Sequence, residues 1–337
     1  MKSAQLTKYD KDNISFEMRE VAQPHIRDNE VLVKTLTAGV NPVDNMISRG
    51  EVKMITPYKL PLIAGNELVG VVEEVGSRVE GFSKGDRIFS RLPLDHIGAF
   101  AEYVAVDSDA IAHVPSYLSD VEAAAIPLTG LTVMQAFDLM HVEAGKTIFI
   151  SGGTGGVGAI AIPLAKAKGL TVITNGSASN KERVLSLGAD RFLDYKTEDY
   201  TKSVHDVDYV LDTIGGKETE KQMGIMKPGG HIVSLRAMPN GEFARRMNLP
   251  WWKQILLTVA GFGIDSLAKK YKVHYSFVFV QSNGKQLREI AEILENNHVK
   301  ASIDSVYSFS EINKALDKVA NGHARGKTVV SFESKEK

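Results

Sequence analysis

The chain contains no cysteine. That absence excludes disulfides, thiolate nucleophiles and every thiolate metal site, and it suits a reducing, cytoplasmic setting. Charge of one sign is not in excess. With 40 Lys and Arg against 41 Asp and Glu, the formal net charge of −1 offers no basic bias towards nucleic acid or anionic membrane. No continuous apolar run reaches the roughly 20 residues that span a bilayer. Trp251 to Leu257 comes nearest to a membrane-surface segment, and Lys253 interrupts it. Met1 to Gln5 is polar and has no apolar signal core. Internal repeats and low-complexity tracts are missing too. A nucleic-acid or membrane partner is therefore not expected.

What is present divides into two halves. At 337 residues, two domains are the natural expectation. Up to about Val114 the chain reads as β-rich, with strands predicted at Val31–Leu36, Leu68–Val75 and Arg87–Phe89 and glycines between them. Ser119 and Glu122 are a capping-box candidate before an alanine-rich helix from Val121 to Ile126, which Pro127 is expected to break or kink. A second helix is predicted from about Leu131 to Met140. Strands then alternate with helices: strands at Thr147–Ile150, Leu170–Thr174, Val207–Asp212 and His231–Leu235, helices at Val157–Lys168 and Lys181–Leu187. That alternation argues for an α/β fold with a doubly wound parallel sheet. Asn240 to Lys272 is basic and aromatic, has helical stretches and fits no βα unit. After it come an amphipathic helix, Gln286–Asn296, and strands at Ile303–Tyr307 and Thr328–Phe332.

Gly153-Thr154-Gly155-Gly156-Val157-Gly158 follows a strand and opens a helix, the context a dinucleotide-binding turn requires. In such a turn the first glycine makes the bend, the second admits a pyrophosphate to the backbone, and the third allows close packing. The alternative is an ordinary βα turn. An NAD site places Asp or Glu about 20 residues further on, on the ribose 2′-hydroxyl. Here neutral Asn175 and Gly176 stand there, followed by Ser177, Asn180, Lys181 and Arg183. Hydroxyl and cationic groups suit a 2′-phosphate, so NADPH is favoured over NADH.

With these landmarks in place, the chain resembles the medium-chain dehydrogenase/reductase superfamily, in its zinc-free quinone oxidoreductase branch. The resemblance runs end to end. It rests on Ala38 to Asp44, Ala64 to Val72, Gly85 to Ile88, Gly98 to Tyr103, Gly130 to Thr132, the glycine motif, Leu187 to Asp190 and Ala324 to Lys327. It implies a GroES-like catalytic domain (1–123 and 281–337) with a Rossmann domain (124–280) inserted in it. It also implies NADPH meeting its substrate in the interdomain cleft, and a homodimer.

Zinc-dependent relatives carry Cys and His-Glu where this chain has Asn41 and Asn66-Glu67. Asn is a poor zinc ligand, so no metal is expected. Without a Lewis acid to activate an alcohol, the chemistry tilts towards acceptors that are already electrophilic, quinones and enones. By resemblance, Asn41 and Thr132 line the nicotinamide end, with Asn41 offering an amide donor. Asp44 either orients Asn41 or caps the following helix. Tyr195, Thr213 and Phe277 flank the adenosine, ribose and nicotinamide. Some relatives have Tyr where this chain has Met46, which leaves the proton donor open; Tyr58 is the nearest substitute. Asn240 to Lys272 is read as a lid over the acceptor site or a dimer contact, with packing under the cleft as the alternative. Two other functions compete: an NADP-dependent alcohol or aldehyde dehydrogenase, and an NADPH-binding protein without turnover.

Overall fold

A computed structural model describes residues 1–322 and 326–332. Of the family landmarks, Ala324 and Arg325 lie outside the described residues. The chain divides into two compact units: Met1–Leu131 together with the stretch from Gln281 onward, and Thr132–Val280. The first division falls eight residues later than 123/124 because the start of one helix belongs to the first unit. There, Leu128 N–H donates to Glu67 Oε2 at 2.7 Å, and a Cβ on Gly130 would lie 3.1 Å from Ile290.

The first unit contains β1 (Lys2–Leu6), β2 (Glu17–Glu20), β3 (Glu30–Val40), α1 (Pro42–Ser48), β4 (Leu62–Ile63), β5 (Glu67–Val75), β6 (Arg87–Arg91), β7 (Tyr103–Asp107), β8 (Ile111–His113) and α2 (Asp120–Ala123). α3 (Pro127–Met140) begins in it and carries the junction. Ser119 and Glu122 close the expected capping box on α2. Pro127 does not break a helix. It starts one, at a position where its missing N–H is no loss and its fixed φ is already helical. Across α2 and α3, an 18-residue window of Asp120–Met140 is long and apolar enough to cross a membrane, with a mean hydropathy of 1.3, but 78% of that window is buried inside the protein.

The second unit holds β9 (Thr147–Ile150), α4 (Gly156–Ala167), β10 (Thr171–Gly176), α5 (Lys181–Ser186), β11 (Arg191–Asp194), β12 (Val207–Asp212), α6 (Lys217–Met223), β13 (Met226–Ser234), α7 (Gly241–Arg246), α8 (Trp251–Tyr271) and β14 (His274–Phe277). Its six strands are parallel in the order β11-β10-β9-β12-β13-β14. This is the doubly wound arrangement, with the strand order reversing between β9 and β12. Phe149, Leu193, Val210, Ile232 and Tyr275 fill one core beside the sheet.

The chain then returns to the first unit with α9 (Gly284–Asn296), β15 (Ile303–Ser308), α10 (Ile312–Ala320) and β16 (Lys327–Ser331). β16 pairs antiparallel with β3, and β3 with β5. Pairing of Thr328 with Val40 and of Ala38 with Leu68 brings Asn41, Glu67 and Lys327 to the same end of that sheet.

Candidate active site

The first unit builds a polar cluster at that sheet end. Glu67 is fully buried. Its Oε1 accepts from Asn41 Nδ2 at 2.7 Å and pairs with the Lys327 ammonium, while its Oε2 takes the Leu128 N–H. Lys327 Nζ also donates to Asn41 Oδ1 at 2.6 Å, closing a triangle of amide, carboxylate and ammonium. Gly39 leaves room for it: a Cβ there would lie 2.3 Å from Glu67 Oε1 and 2.7 Å from Lys327 Cε. A buried carboxylate with a cation and two N–H donors is satisfied as a charged group; without the cation it would not be.

Asp44 sits one step deeper, fully buried. Its Oδ2 accepts the Asn41 backbone N–H at 2.7 Å, at the start of α1, and its Oδ1 accepts Asn66 Nδ2 at 2.7 Å. It therefore holds the first turn of α1 and, through the Asn41 backbone, the triangle as well. Burial pushes its carboxyl up to about 6, against the lowering pull of those two hydrogen bonds. Arg91, opposite Glu67 in register, is buried and held down at about 10 by its burial; its Nε has no partner among the described residues.

The amide donor foreseen at Asn41 is already engaged. Its Nδ2 is bound to Glu67, with a longer 3.4 Å contact to the Gly39 carbonyl, and its Oδ1 to Lys327. The outward group of the cluster is Lys327, whose side chain keeps 11% exposure while Glu67 keeps none. Two of its three N–H bonds reach Asn41 and Glu67, leaving one without a partner among the described residues. Lys327 stands some 260 residues from Glu67; it ends the Ala324 to Lys327 landmark, but nothing local gave it a role at the site. Met46 is on the exposed side of α1, and burial pushes the Tyr58 phenol up to about 12, which makes it a weak acid. Thr132 lies on α3, one helical turn past Leu128.

In the second unit the dinucleotide residues gather at the carboxyl ends of the parallel strands. The left-handed residue of the glycine turn is Gly152 (φ 68°), one position before the motif and unforeseen. Gly152 N–H donates to Asn175 Oδ1 at 2.8 Å and Gly153 N–H to the Asn175 carbonyl at 3.0 Å, so Asn175 ties down the turn. Gly153 packs against Thr174, and Gly158 against Gly153 itself, where added Cβ atoms would come within 2.1 and 2.3 Å. Gly155 is different. It caps α4 with no side chain of its own, and a Cβ there would meet nothing closer than 3.4 Å. The space ahead of the Gly155, Gly156 and Val157 backbone is thus open to a ligand, and the helix start favours an anion. Thr154 completes the loop, its carbonyl taking Arg183 Nη2 at 2.7 Å.

Ser177, Asn180 and Lys181 follow β10 and open α5. Ser177 and Asn180 both approach Ser179, with side-chain contacts of 3.3 Å. Tyr195 follows β11 and is exposed, its N–H on the Gly176 carbonyl. Thr213 follows β12 and closes onto Ser151 through its N–H at 2.9 Å and its hydroxyl at 2.7 Å. Phe277 ends β14, edge-on to Phe243 at 5.2 Å. Asp212, not singled out from sequence, organises the β12 end: it accepts from Ile214 N–H, Gly215 N–H, Thr219, Gln222 and Ser234. An Asp at a strand end before Thr-Ile-Gly-Gly is a local signal that was there to be found.

Two family models match, the alcohol dehydrogenase GroES-like domain over residues 27–116 and the zinc-binding dehydrogenase over residues 187–330. The chain is 32% identical to the mitochondrial NAD(P)H oxidoreductase RTN4IP1 of Danio rerio, over 98% of this chain and 91% of that one. The chain belongs to the medium-chain dehydrogenase/reductase superfamily. It is an oxidoreductase. A 2-methylene-furan-3-one reductase of Solanum lycopersicum is 33% identical over 98% of this chain and 79% of its own. The quinone oxidoreductase of Coxiella burnetii superposes with a TM-score of 0.81 at 29% identity, covering 99% of both chains.

The family name raises zinc, and the donor set does not fit it. The residues at the sheet end are two amides and a carboxylate already paired with an ammonium, and no group of three or more His, Asp or Glu suited to a metal occurs among the described residues.

Proposed function

We propose that the protein transfers a hydride from NADPH to a quinone or an α,β-unsaturated ketone, without zinc. The observation that carries this reading is the Lys327–Glu67–Asn41 triangle: a cation with one N–H unused among the described residues, held by Asn41 and Glu67 at positions that correspond to metal ligands in zinc-dependent relatives. The relatives named as a 2-methylene-furan-3-one reductase and a quinone oxidoreductase support the acceptor class.

The glycine turn fits a dinucleotide, because the open face at Gly155 admits a pyrophosphate that a side chain would block. Gly155, Gly156 and Val157 would hold that group by backbone N–H. Ser177, Asn180 and Lys181 would hold a 2′-phosphate, and the absence of a carboxylate among them is what selects NADPH. Tyr195, Thr213 and Phe277 would flank the rest of the cofactor. When bound, the cofactor supplies the hydride.

The protein's own contribution is orientation and charge. Lys327 offers its remaining N–H to the acceptor's oxygen, where negative charge grows as the carbon skeleton is reduced. Glu67 and Asn41 fix that ammonium in place and limit its rotation. Quinones and enones suit this arrangement because their adducts already spread charge onto oxygen. Asp44 keeps the Asn41 backbone where the triangle requires it.

The test is steady-state oxidation of NADPH, and separately of NADH, by chelator-treated protein with phenanthrenequinone, benzoquinone and a simple enone. Rapid turnover that prefers NADPH supports the proposal. Alcohol oxidation with NADP⁺ and no quinone reduction would replace it with a dehydrogenase. Binding of NADPH with no turnover of any acceptor would leave a cofactor-binding protein.

A further inference from the structure

α8 is a 21-residue helix that is apolar on two sides. One side, Leu257, Gly261 and Ala268, is buried in the second unit. The other carries Trp251, Trp252, Ile255, Leu256, Val259 and Phe262, all between 47 and 74% exposed. These six recur at three- and four-residue spacing, so they form one row along the helix. The same spacing continues through exposed Ser266 to exposed Lys269 and Lys270. Lys253, which breaks the apolar run in the sequence, does not break the row. It is off that spacing, half-buried, with its ammonium 5.5 Å from the Trp252 ring.

Isolated exposed apolar side chains need no explanation, but a continuous row of six with two tryptophans does. The charge around it identifies the occupant. Residues 240–272 carry six cations, Arg245, Arg246, Lys253, Lys269, Lys270 and Lys272, against the two acids Glu242 and Asp265, in a chain whose formal net charge is −1. Both acids are engaged within the unit, Glu242 with Ser276 and Arg246 and Asp265 with Asn240, and Lys270 is paired with Glu220; Arg245, Lys269 and Lys272 then remain as an unbalanced positive charge on the segment. A second copy docking on this row would bring two such cationic segments together, which charge opposes. A surface that is apolar within and anionic at its rim is the complement, and tryptophans beside lysines suit the boundary between headgroups and acyl chains.

We propose that the outer face of α8 is a membrane-surface site that lays this row into an anionic lipid bilayer. The helix lies in the plane of the interface, Trp251 to Phe262 enter the acyl boundary, and Lys269 meets lipid phosphates, with Lys270, paired to Glu220 at 3.0 Å, beside it. The inference is independent of the acceptor and of the cofactor. It revises the expectation of no membrane partner, which rested on net charge and on Lys253; the charge is unevenly placed and Lys253 is off the row.

Trp251 and Trp252 are the only two tryptophans in the chain, so tryptophan fluorescence, excited selectively over the ten tyrosines, reports on this face alone. The experiment adds the full-length protein to phosphatidylcholine vesicles with and without phosphatidylglycerol, and follows emission, quenching by brominated lipid, and co-flotation. With phosphatidylglycerol, the emission is expected to shift to the blue, brominated chains to quench it, and the protein to float; with phosphatidylcholine alone, binding is expected to be much weaker. Val259→Asp with Phe262→Asp should abolish binding while leaving circular dichroism and the thermal unfolding midpoint near wild type. Lys269→Glu with Lys270→Glu should weaken binding roughly tenfold or more and flatten its salt dependence. No blue shift and no flotation would overturn the proposal, as would equal binding to both vesicle types. So would a dimer, seen by light scattering, that the Val259/Phe262 double variant splits; that result would assign the face to a second copy.

Discussion

The two units hold their functional residues in opposite ways. In the second unit the dinucleotide turn is made by leaving side chains out: Gly153, Gly155 and Gly158 work because nothing projects from them, and their neighbours in space are neighbours in sequence or lie one strand away. In the first unit the cluster is made by putting charges in, and its side chains lie on or just beyond three strands far apart in sequence, brought together by sheet register. A site made of omissions is local and tolerant of charge. A site made of buried charges is long-range, and each member depends on the others.

The largest expected effect tests that dependence. Lys327→Met leaves Glu67 buried without its cation and should cost about 3–5 kcal/mol in stability by denaturant unfolding. Adding Glu67→Gln should recover most of that loss; no recovery would mean the two residues act separately.

The pH dependence sets the units against each other. Asp44 has a folded pKa raised to about 6 by burial, so its contribution is full below about pH 4 and is lost as pH rises to 6. In the second unit, burial pushes the His231 imidazole down to about 4, with nearby His274 a smaller cause, and its contribution is lost as pH falls from about 6.5 towards 4. The slopes oppose each other, each worth up to about 3 kcal/mol across the window. Relative to wild type, the stability of Asp44→Asn should rise with pH between 4 and 6, and that of His231→Gln should fall, both followed by chemical unfolding at stepped pH.

Within the glycine turn, Gly158→Ala forces a Cβ onto the Gly153 backbone and should destabilise the protein by about 1–3 kcal/mol. Gly155→Ala, with no close contact, should leave the unfolding midpoint alone and weaken NADPH binding in a fluorescence titration. Equal destabilisation by both would remove the distinction between a packing glycine and a ligand-facing one. The smallest effect is the most specific: Lys181→Ala should raise the KM for NADPH roughly fivefold to tenfold and leave that for NADH unchanged.

The contrast also explains what could be read from the chain. β9 and β12 fall where their apolar runs end, and the glycine motif sits between strand and helix as its spacing requires. Those are local signals. Pro127 misled because proline stops a helix from inside but starts one from its first position, and the two cases look alike without the capping geometry. α8 resisted placement because apolar residues on both faces erase the periodicity that usually identifies a helix. Asn41 and Asp44 were visible as candidates, and Lys327 as a landmark, yet that Lys327 donates to Asn41 Oδ1 was not. The register of β16 against β3 decides it, and register is a property of the folded sheet.

That register has a consequence for biosynthesis. A ribosome delivers residues 132–280 in full before it has made Lys327, so the second unit has every strand it needs while the first still lacks β16. Until that strand arrives, Glu67 has no ammonium beside it and water must serve in its stead. The sheet end is therefore closed late, by a single strand, in a nascent chain whose other unit is already able to fold.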